Sequence, residues 1–342
     1  MNYQSTTVRV ALGLLIIVIA ALGTFYVYEW RLQPSHMYHV AIVTRQGVDT
    51  YEEAITSYRA KMHDLGYIEG TTISYDIRHF SAMSELPGII REVVALHPDI
   101  ISTYSTPATV AAYKETKDMP MPIPVVFVSV GDPVAAGVVK SVDNPGTNVT
   151  GLTSLSTELT ANRLRLLKEI NPDIKRVAFP HSDASLGDAA ADKSVTIGMD
   201  TAKQLGITLT LLPVKTSDEN EAIASLITAK NAEGIVVGGD SLVWSGITAY
   251  IAQAIREKIP LAAFDISQIE KGALVGIGPD YQVLGKQAAV ITSRILRGTP
   301  PSAIAVQVPD KLILAVNAVT AEKIGLTLPS SLVTRADLII RQ

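Results

Sequence analysis

The chain has 342 residues, with 29 Lys+Arg against 33 Asp+Glu and a net charge of −4. Hydrophobic residues make up 47% and charged ones 18%, which excludes a disordered chain; the slight acidity and lack of a Lys/Arg run exclude a nucleic-acid-binding role. No cysteine is present, so disulfides, thiolate metal sites, cysteine nucleophiles and lipid attachment through an N-terminal cysteine are all ruled out.

Residues 10–28 (VALGLLIIVIAALGTFYVY) carry no charge, with Arg9 before the run and Glu29 and Arg31 after it. The length is close to the ~20 residues a helix needs to cross about 30 Å of hydrocarbon. It exceeds the core of a signal peptide, about 7–15 residues. Phe25, Tyr26, Tyr28 and Trp30 resemble an interfacial aromatic belt. The run reads as an uncleaved anchor, or as a signal peptide cut near Ala21-Leu22-Gly23, or as a buried soluble helix. Either of the first two exports everything after about residue 33. Removing Arg9, Arg31 and Glu29 from the count leaves 27 basic and 32 acidic residues from Pro34 on, a mildly acidic body.

Within that body β-branched runs alternate with helical patterns. The spacing predicts strand 39–44, helix 51–65, strand 72–76, helix 86–96, strand 100–104, helix 109–117, and strands 125–130 and 149–151. It then predicts helix 159–170, strand 176–180, helix 188–205, strand 208–214, helix 219–229, strand 234–238 and helix 245–257. Strands 261–264 and 274–277 and helix 283–297 follow. This alternation implies right-handed βαβ units and parallel sheets covered on both faces. At about 150 residues per domain the length fits two units, hence two doubly wound sheets of five or six strands each. Gly66, Gly206 and Gly298 follow helical runs as C-caps do, and Leu65-Gly66 echoes Leu205-Gly206.

Ligands of such sheets sit beyond the carboxyl ends of the strands. The residues there are Thr44-Arg45-Gln46-Gly47, Ser105-Thr106-Pro107-Ala108, Gly131-Asp132, His181-Ser182-Asp183, Gly239-Asp240-Ser241 and Asp265-Ile266-Ser267. Each has an alternative as a helix N-cap; their recurrence in both halves favours a shared cleft. No dinucleotide fingerprint, P-loop, nucleophile elbow or metal-ligand spacing occurs, so no enzymatic motif, cofactor or metal is implied.

Several strings, in order, carry a family resemblance: Leu65-Gly66-Tyr67-Ile68-Glu69-Gly70, Ser105-Thr106-Pro107-Ala108, Val125 to Val134 (VVFVSVGDPV) and Asn144 to Leu152 (NPGTNVTGL). Asp280-Tyr281-Gln282-Val283-Leu284-Gly285-Lys286, Val316-Asn317 and Ala321 to Leu326 (AEKIGL) continue it. Together they resemble the substrate-binding proteins of bacterial ABC importers, in the branch with tryptophan- and tyrosine-binding members, over residues 38–335. The resemblance implies a type I periplasmic binding fold: an α/β protein of two doubly wound parallel-sheet lobes joined by three hinge crossings, preceded here by one N-terminal hydrophobic helix. By that likeness lobe 1 is 34–152 plus 281–303, lobe 2 is 153–280 plus 304–342, and 1–33 is the anchor or signal. The crossings fall near 151–154, 279–281 and 303–306. The chain departs from the family pattern at Pro180-His181-Ser182-Asp183, where Asn-Pro is common, and at Asp240-Ser241, where Asp-Asn is common.

A zwitterion needs donors for its carboxylate and an acid for its ammonium. Ser105, Thr106 and the N–H of Ala108 suit the first, at a positive helix end; Asp132, Asp240 and Asp265 are candidates for the second. Tyr104, Trp244, Phe264 and Tyr281 offer an apolar wall, and Thr44, Gln46, His181 and Ser241 complete the expected cleft. The expected partners are a small-molecule ligand and an ABC permease in the inner membrane, or alternatively a membrane signalling protein.

Overall fold

The computed structural model describes residues 36–341, so the apolar run 10–28 lies outside the described residues. Among the described residues twelve strands form two sheets. The first contains β1 (Tyr38–Arg45), β2 (Ile73–Phe80), β3 (Ile100–Tyr104), β4 (Val125–Val130) and β5 (Val149–Thr153), in the order β2-β1-β3-β4-β5 and parallel throughout. Every residue of β3, β4 and β5 is buried, which is why these strands read as continuous apolar runs rather than as alternating patterns. Helices α1 (Asp49–Asp64), α2 (Leu86–Ala95) and α3 (Thr106–Thr116) make the crossovers.

The second sheet contains β6 (Arg176–Ser182), β7 (Thr208–Val214), β8 (Ile235–Val236), β9 (Leu261–Ala263), β10 (Val275–Pro279), β11 (Leu312–Asn317) and β12 (Leu338–Ile340). Its order is β12-β11-β10-β9-β8-β6-β7, parallel from β7 to β10, with β11 antiparallel to β10. Its helices are α4 (Thr160–Ile170), α5 (Ala189–Leu205), α6 (Glu219–Ser225), α7 (Ser241–Ser245), α8 (Ile247–Glu257) and α9 (Ile266–Glu270). After α10 (Tyr281–Leu296), α11 (Ala318–Ile324) and α12 (Ser330–Arg335) close the chain.

The two sheets repeat one order, β2-β1-β3-β4-β5 in the first and β7-β6-β8-β9-β10 in the second. The Leu-Gly echo falls at matching places, after the helix between the first two strands of each sheet, with Gly66 at φ 93° and Gly206 at φ 66°. Both φ values suit glycine and end a helix.

Helix α10 leaves the second sheet and packs on α1 of the first. A Cβ on Gly285 would lie 2.1 Å from the Ala54 carbonyl oxygen and 2.2 Å from Ser57 Oγ, so the helices approach as closely as they do only because residue 285 has no side chain. Overpacking of this kind costs about 1–3 kcal/mol. Gly285→Ala is therefore expected to lower the unfolding free energy by that amount in a denaturant titration. The chain then runs back beside β5, where Gln307 N–H donates to Gly151 O (2.9 Å) and Thr153 N–H to Gln307 O (3.0 Å). Three crossings thus join the lobes, after β5, after β10 and before β11.

Three expectations need correction. The second sheet has seven strands, because the apolar run of β11 and the three-residue β12 add an edge that strand–helix alternation did not reveal. Helix 245–257 is two helices broken at Gly246, where a Cβ would sit 2.3 Å from Asn220. The helix from 219 stops at Ser225. Among the described residues no helix is long and apolar enough to cross a membrane.

Candidate functional site

Strand order reverses between β1 and β3 and again between β6 and β8, and a crevice opens at such switch points. The two crevices share one small pocket. The first lobe contributes Tyr51, Ser105, Thr106, Ser129 and Gly131; the second contributes Ser156, Asp188, Ala190, Gly239, Ser241 and Trp244.

Strained strand ends of the first sheet shape this side of the pocket. Ser105 (φ 119°), Ser129 (φ 65°) and Leu155 (φ 55°) are non-glycine residues with positive φ, just inside or just after the carboxyl ends of β3, β4 and β5. Such conformations cost about 1–3 kcal/mol each and cluster where structure serves function. At Ser105 the sharp turn brings the start of α3 onto the pocket. Ser105 Oγ accepts from Ala108 N (3.4 Å), Thr106 Oγ1 accepts from Gly131 N (3.4 Å), and Pro107 sits in the first turn without an N–H to satisfy.

The second-lobe wall centres on Asp188, the N-cap of α5. Its Oδ1 accepts the N–H groups of Ala190 (3.0 Å) and Ala191 (3.3 Å), while Oδ2 takes no donor among the described residues. Burial, and then the neighbouring Asp240 charge, push the Asp188 carboxyl up to about 7. The buried Arg45 guanidinium opposes this only in part. It is spent on Ser241 Oγ across the cleft (3.1 Å) and on Ser81 O (2.8 Å), and lies 4.5 Å from the Phe80 ring centre.

Beneath the pocket lies an aromatic floor. Trp244 stacks on Phe264 at 4.4 Å, Tyr51 meets Trp244 and Tyr281 at 6.1 and 6.0 Å, and Tyr281 Oη is 2.6 Å from Ser129 Oγ. Arg163 is buried below it and donates to the carbonyls of Leu159 (3.1 Å), Val237 (2.6 Å) and Ser156, which fixes the Ser156 edge; burial lowers its pKa to about 9.

The lobes touch around this site. A Cβ on Gly131 would lie 2.4 Å from Thr157 Oγ1 and 2.9 Å from the Ala190 Cβ of the opposite lobe. At the rim Lys193 of α5 pairs with Asp132 of the first lobe, and Lys271 of the second pairs with Asp49 of the first.

Of the residues expected from sequence, Ser105, Thr106, Ser241 and Trp244 line the pocket, with Gly131 and Gly239 of the strand-end strings. Ala108, Tyr104 and Tyr281 lie directly behind it, all buried. Asp240 is fully engaged with Ser182 N, Ser182 Oγ (2.8 Å), Leu242 N (3.0 Å) and Val243 N (3.3 Å), so it supports the wall and offers no free oxygen face. Asp132 is held at the rim by Lys193. Asp265 borders a separate hollow with Glu53, Glu270 and Asp280 on the hinge side. Thr44 is buried at the end of β1, Gln46 Oε1 accepts from Ser81 Oγ (2.8 Å), and His181 Nδ1 lies 2.8 Å from Ser182 O; none of the three lines the pocket.

Sequence reasoning passed over Tyr51, Ser129, Ser156, Asp188 and Ala190 as pocket residues. Asp188 carried a visible N-cap pattern, but it stands six residues beyond β6 rather than at the strand end. Among the described residues no group of three His, Asp or Glu is placed to hold a metal.

Comparison with known proteins matches residues 40–340 to the family model described as ABC transporter substrate binding protein. A tyrosine-binding protein of Clostridioides difficile (strain R20291) is 30% identical over 280 residues, covering 80% of this chain and 77% of that protein. A Streptococcus pneumoniae domain solved with L-Trp superposes with a TM-score of 0.80 at 20% identity, covering 89% of this chain and 100% of that one. The ligand-free, open structure of a Clostridium difficile substrate binding protein gives 0.61 at 25% identity, covering 90% and 100%. The chain belongs to the ABC transporter substrate binding proteins, an extracytoplasmic family that binds small molecules and catalyses no reaction.

Proposed function

We propose that this protein captures an amino acid between its lobes for import by an ABC permease, and that closure around the ligand is what the permease reads. The observation that carries this reading is the pair Thr106 and Asp188, one from each lobe, lining one small pocket. The carboxylate meets the Thr106 hydroxyl and the start of α3, where backbone N–H groups and the helix dipole favour an anion. The ammonium meets Asp188 Oδ2, in place of the three aspartates first considered. An ammonium there also relieves the charge that burial and Asp240 make costly.

Contacts made with both lobes at once are the differential binding that favours a closed state. The Gly131 contact and the tighter superposition on the tryptophan complex than on the open protein support a closed arrangement. The tyrosine-binding relative supports an aromatic or other amino acid as ligand. Lobe 1 is taken as 34–152 plus 281–303 and lobe 2 as 153–280 plus 304–342, with residues 10–28 tethering the protein to the inner membrane.

Screening amino acids, nucleosides, sugars and organic acids by thermal shift tests the reading. A ligand at 100 times its Kd adds about 2.7 kcal/mol of stability. A shift confined to amino acids is expected; a shift with sugars or nucleosides alone contradicts it. Thr106→Val is expected to weaken amino-acid binding by about 1–3 kcal/mol in calorimetry, the cost of a buried polar group left unpaired. The pH dependence has a fixed sign. Binding requires ionised Asp188, so affinity falls as pH drops below about 7, by up to tenfold per unit, and levels off above it.

A further inference from the structure

A second, larger cavity adjoins the pocket and shares Thr106 and Asp188 with it. Its walls are Met83, Leu86 and Pro87 before and within α2, Val110 and Ala111 on the outward face of α3, and Leu186 from the opposite lobe. The groove is therefore mainly apolar and interlobar; Lys114 and Glu115 stand along it too, one helical turn beyond Val110 and Ala111.

We infer that this groove is the side-chain subsite, and that the ligand is an amino acid with an extended apolar side chain. The inference rests on the zwitterion reading above. With the carboxylate at Thr106 and the ammonium at Asp188, the ligand Cα lies between these two residues. Both of them face the groove, so the third substituent on Cα has a direct path into it. The inward path is blocked. Tyr51, Trp244, Phe264 and Tyr281 pack on one another at 4.4 to 6.1 Å, and the pocket they floor is narrow, with a largely hydroxyl-bearing lining. A methyl group stays at the mouth of the groove beside Thr106 and Asp188, and a longer side chain extends along it. There the walls offer methylene, methyl and thioether surface, with charged side chains at Lys114 and Glu115 besides the shared Asp188 at its mouth. Chain length, more than aromaticity, then sets affinity.

Calorimetric titration of the full chain with alanine, norleucine and 2-aminooctanoate tests this. Affinity is expected to rise along the series by about fourfold per methylene, the burial value of a CH₂ group. Ala111→Trp fills the groove from a half-buried helix position and is expected to weaken 2-aminooctanoate at least tenfold while leaving alanine within twofold. Leu186→Glu is a second variant on the other lobe with the same expected pattern, so that a folding defect in one does not decide the matter; melting curves verify both. An affinity that depends on Asp188 yet does not rise with length, or variants that weaken alanine and 2-aminooctanoate equally, overturn the groove assignment and leave the zwitterion reading standing. Failure of all three to bind the unaltered protein while tyrosine binds overturns the groove assignment alone; failure of tyrosine as well overturns both.

Discussion

Asp188→Asn is expected to lose amino-acid binding by about 2–5 kcal/mol, a 30-fold or greater rise in Kd, while the protein remains folded. The size follows from removing one partner of a buried charge-assisted pair and leaving an ammonium in a closed pocket without its counter-charge. Folding survives because asparagine caps helices as well as aspartate does, so the bonds from Ala190 and Ala191 are kept. The stability effect has a definite direction. A carboxyl raised to about 7 in the folded protein binds protons that the unfolded chain releases near pH 4. The ligand-free parent therefore loses stability as pH rises from about 4 to about 7, and the variant lacks that loss. Melting temperatures across this range should show the variant gaining on the parent up to pH 7 and holding a constant lead above it. A variant that binds normally removes Asp188 from the site.

Gly131→Val is the second large effect, and it acts on closure rather than on a ligand contact. The backbone at Gly131 does not require positive φ, so a side chain is tolerated within lobe 1 alone. In the closed arrangement the new Cβ meets Thr157 and Ala190 of lobe 2, a rigid collision between lobes. The expected result is a Kd raised at least tenfold, together with a larger radius of gyration by X-ray scattering that ligand fails to reduce. Gly131→Ala should fall between parent and valine. Normal affinity with normal compaction would show that the lobes need not approach at Gly131.

Much of the fold was legible because parallel strands buried on both faces leave unbroken apolar runs, and all ten expected strands are present. The edge formed by β11 and β12 was not, since β11 runs antiparallel to β10 and β12 has only three residues. The site divides along a similar line. Ser105 and Thr106 immediately follow β3, Ser241 starts the helix after the short β8, and all three were expected; Asp188 reaches the pocket after a loop, and Tyr51 from inside α1. Asp240 shows the converse. It stands just after a strand in the expected place, yet its oxygens are consumed by Ser182 and the start of α7. Residue type and position in the chain do not reveal whether a carboxylate is spent on capping. That depends on which backbone N–H groups the fold brings to it.

The central claim is that an ammonium seats on Asp188 while its carboxylate meets Thr106. Titration calorimetry with tyrosine at pH 6.5, repeated in buffers of different ionisation enthalpy, tests it most directly, because the proton that leaves Asp188 is counted. The account predicts that binding releases a substantial fraction of one proton in the parent and none in Asp188→Asn, whose affinity is also much lower. Tight binding with no proton released, or with affinity indifferent to Asp188, would contradict it.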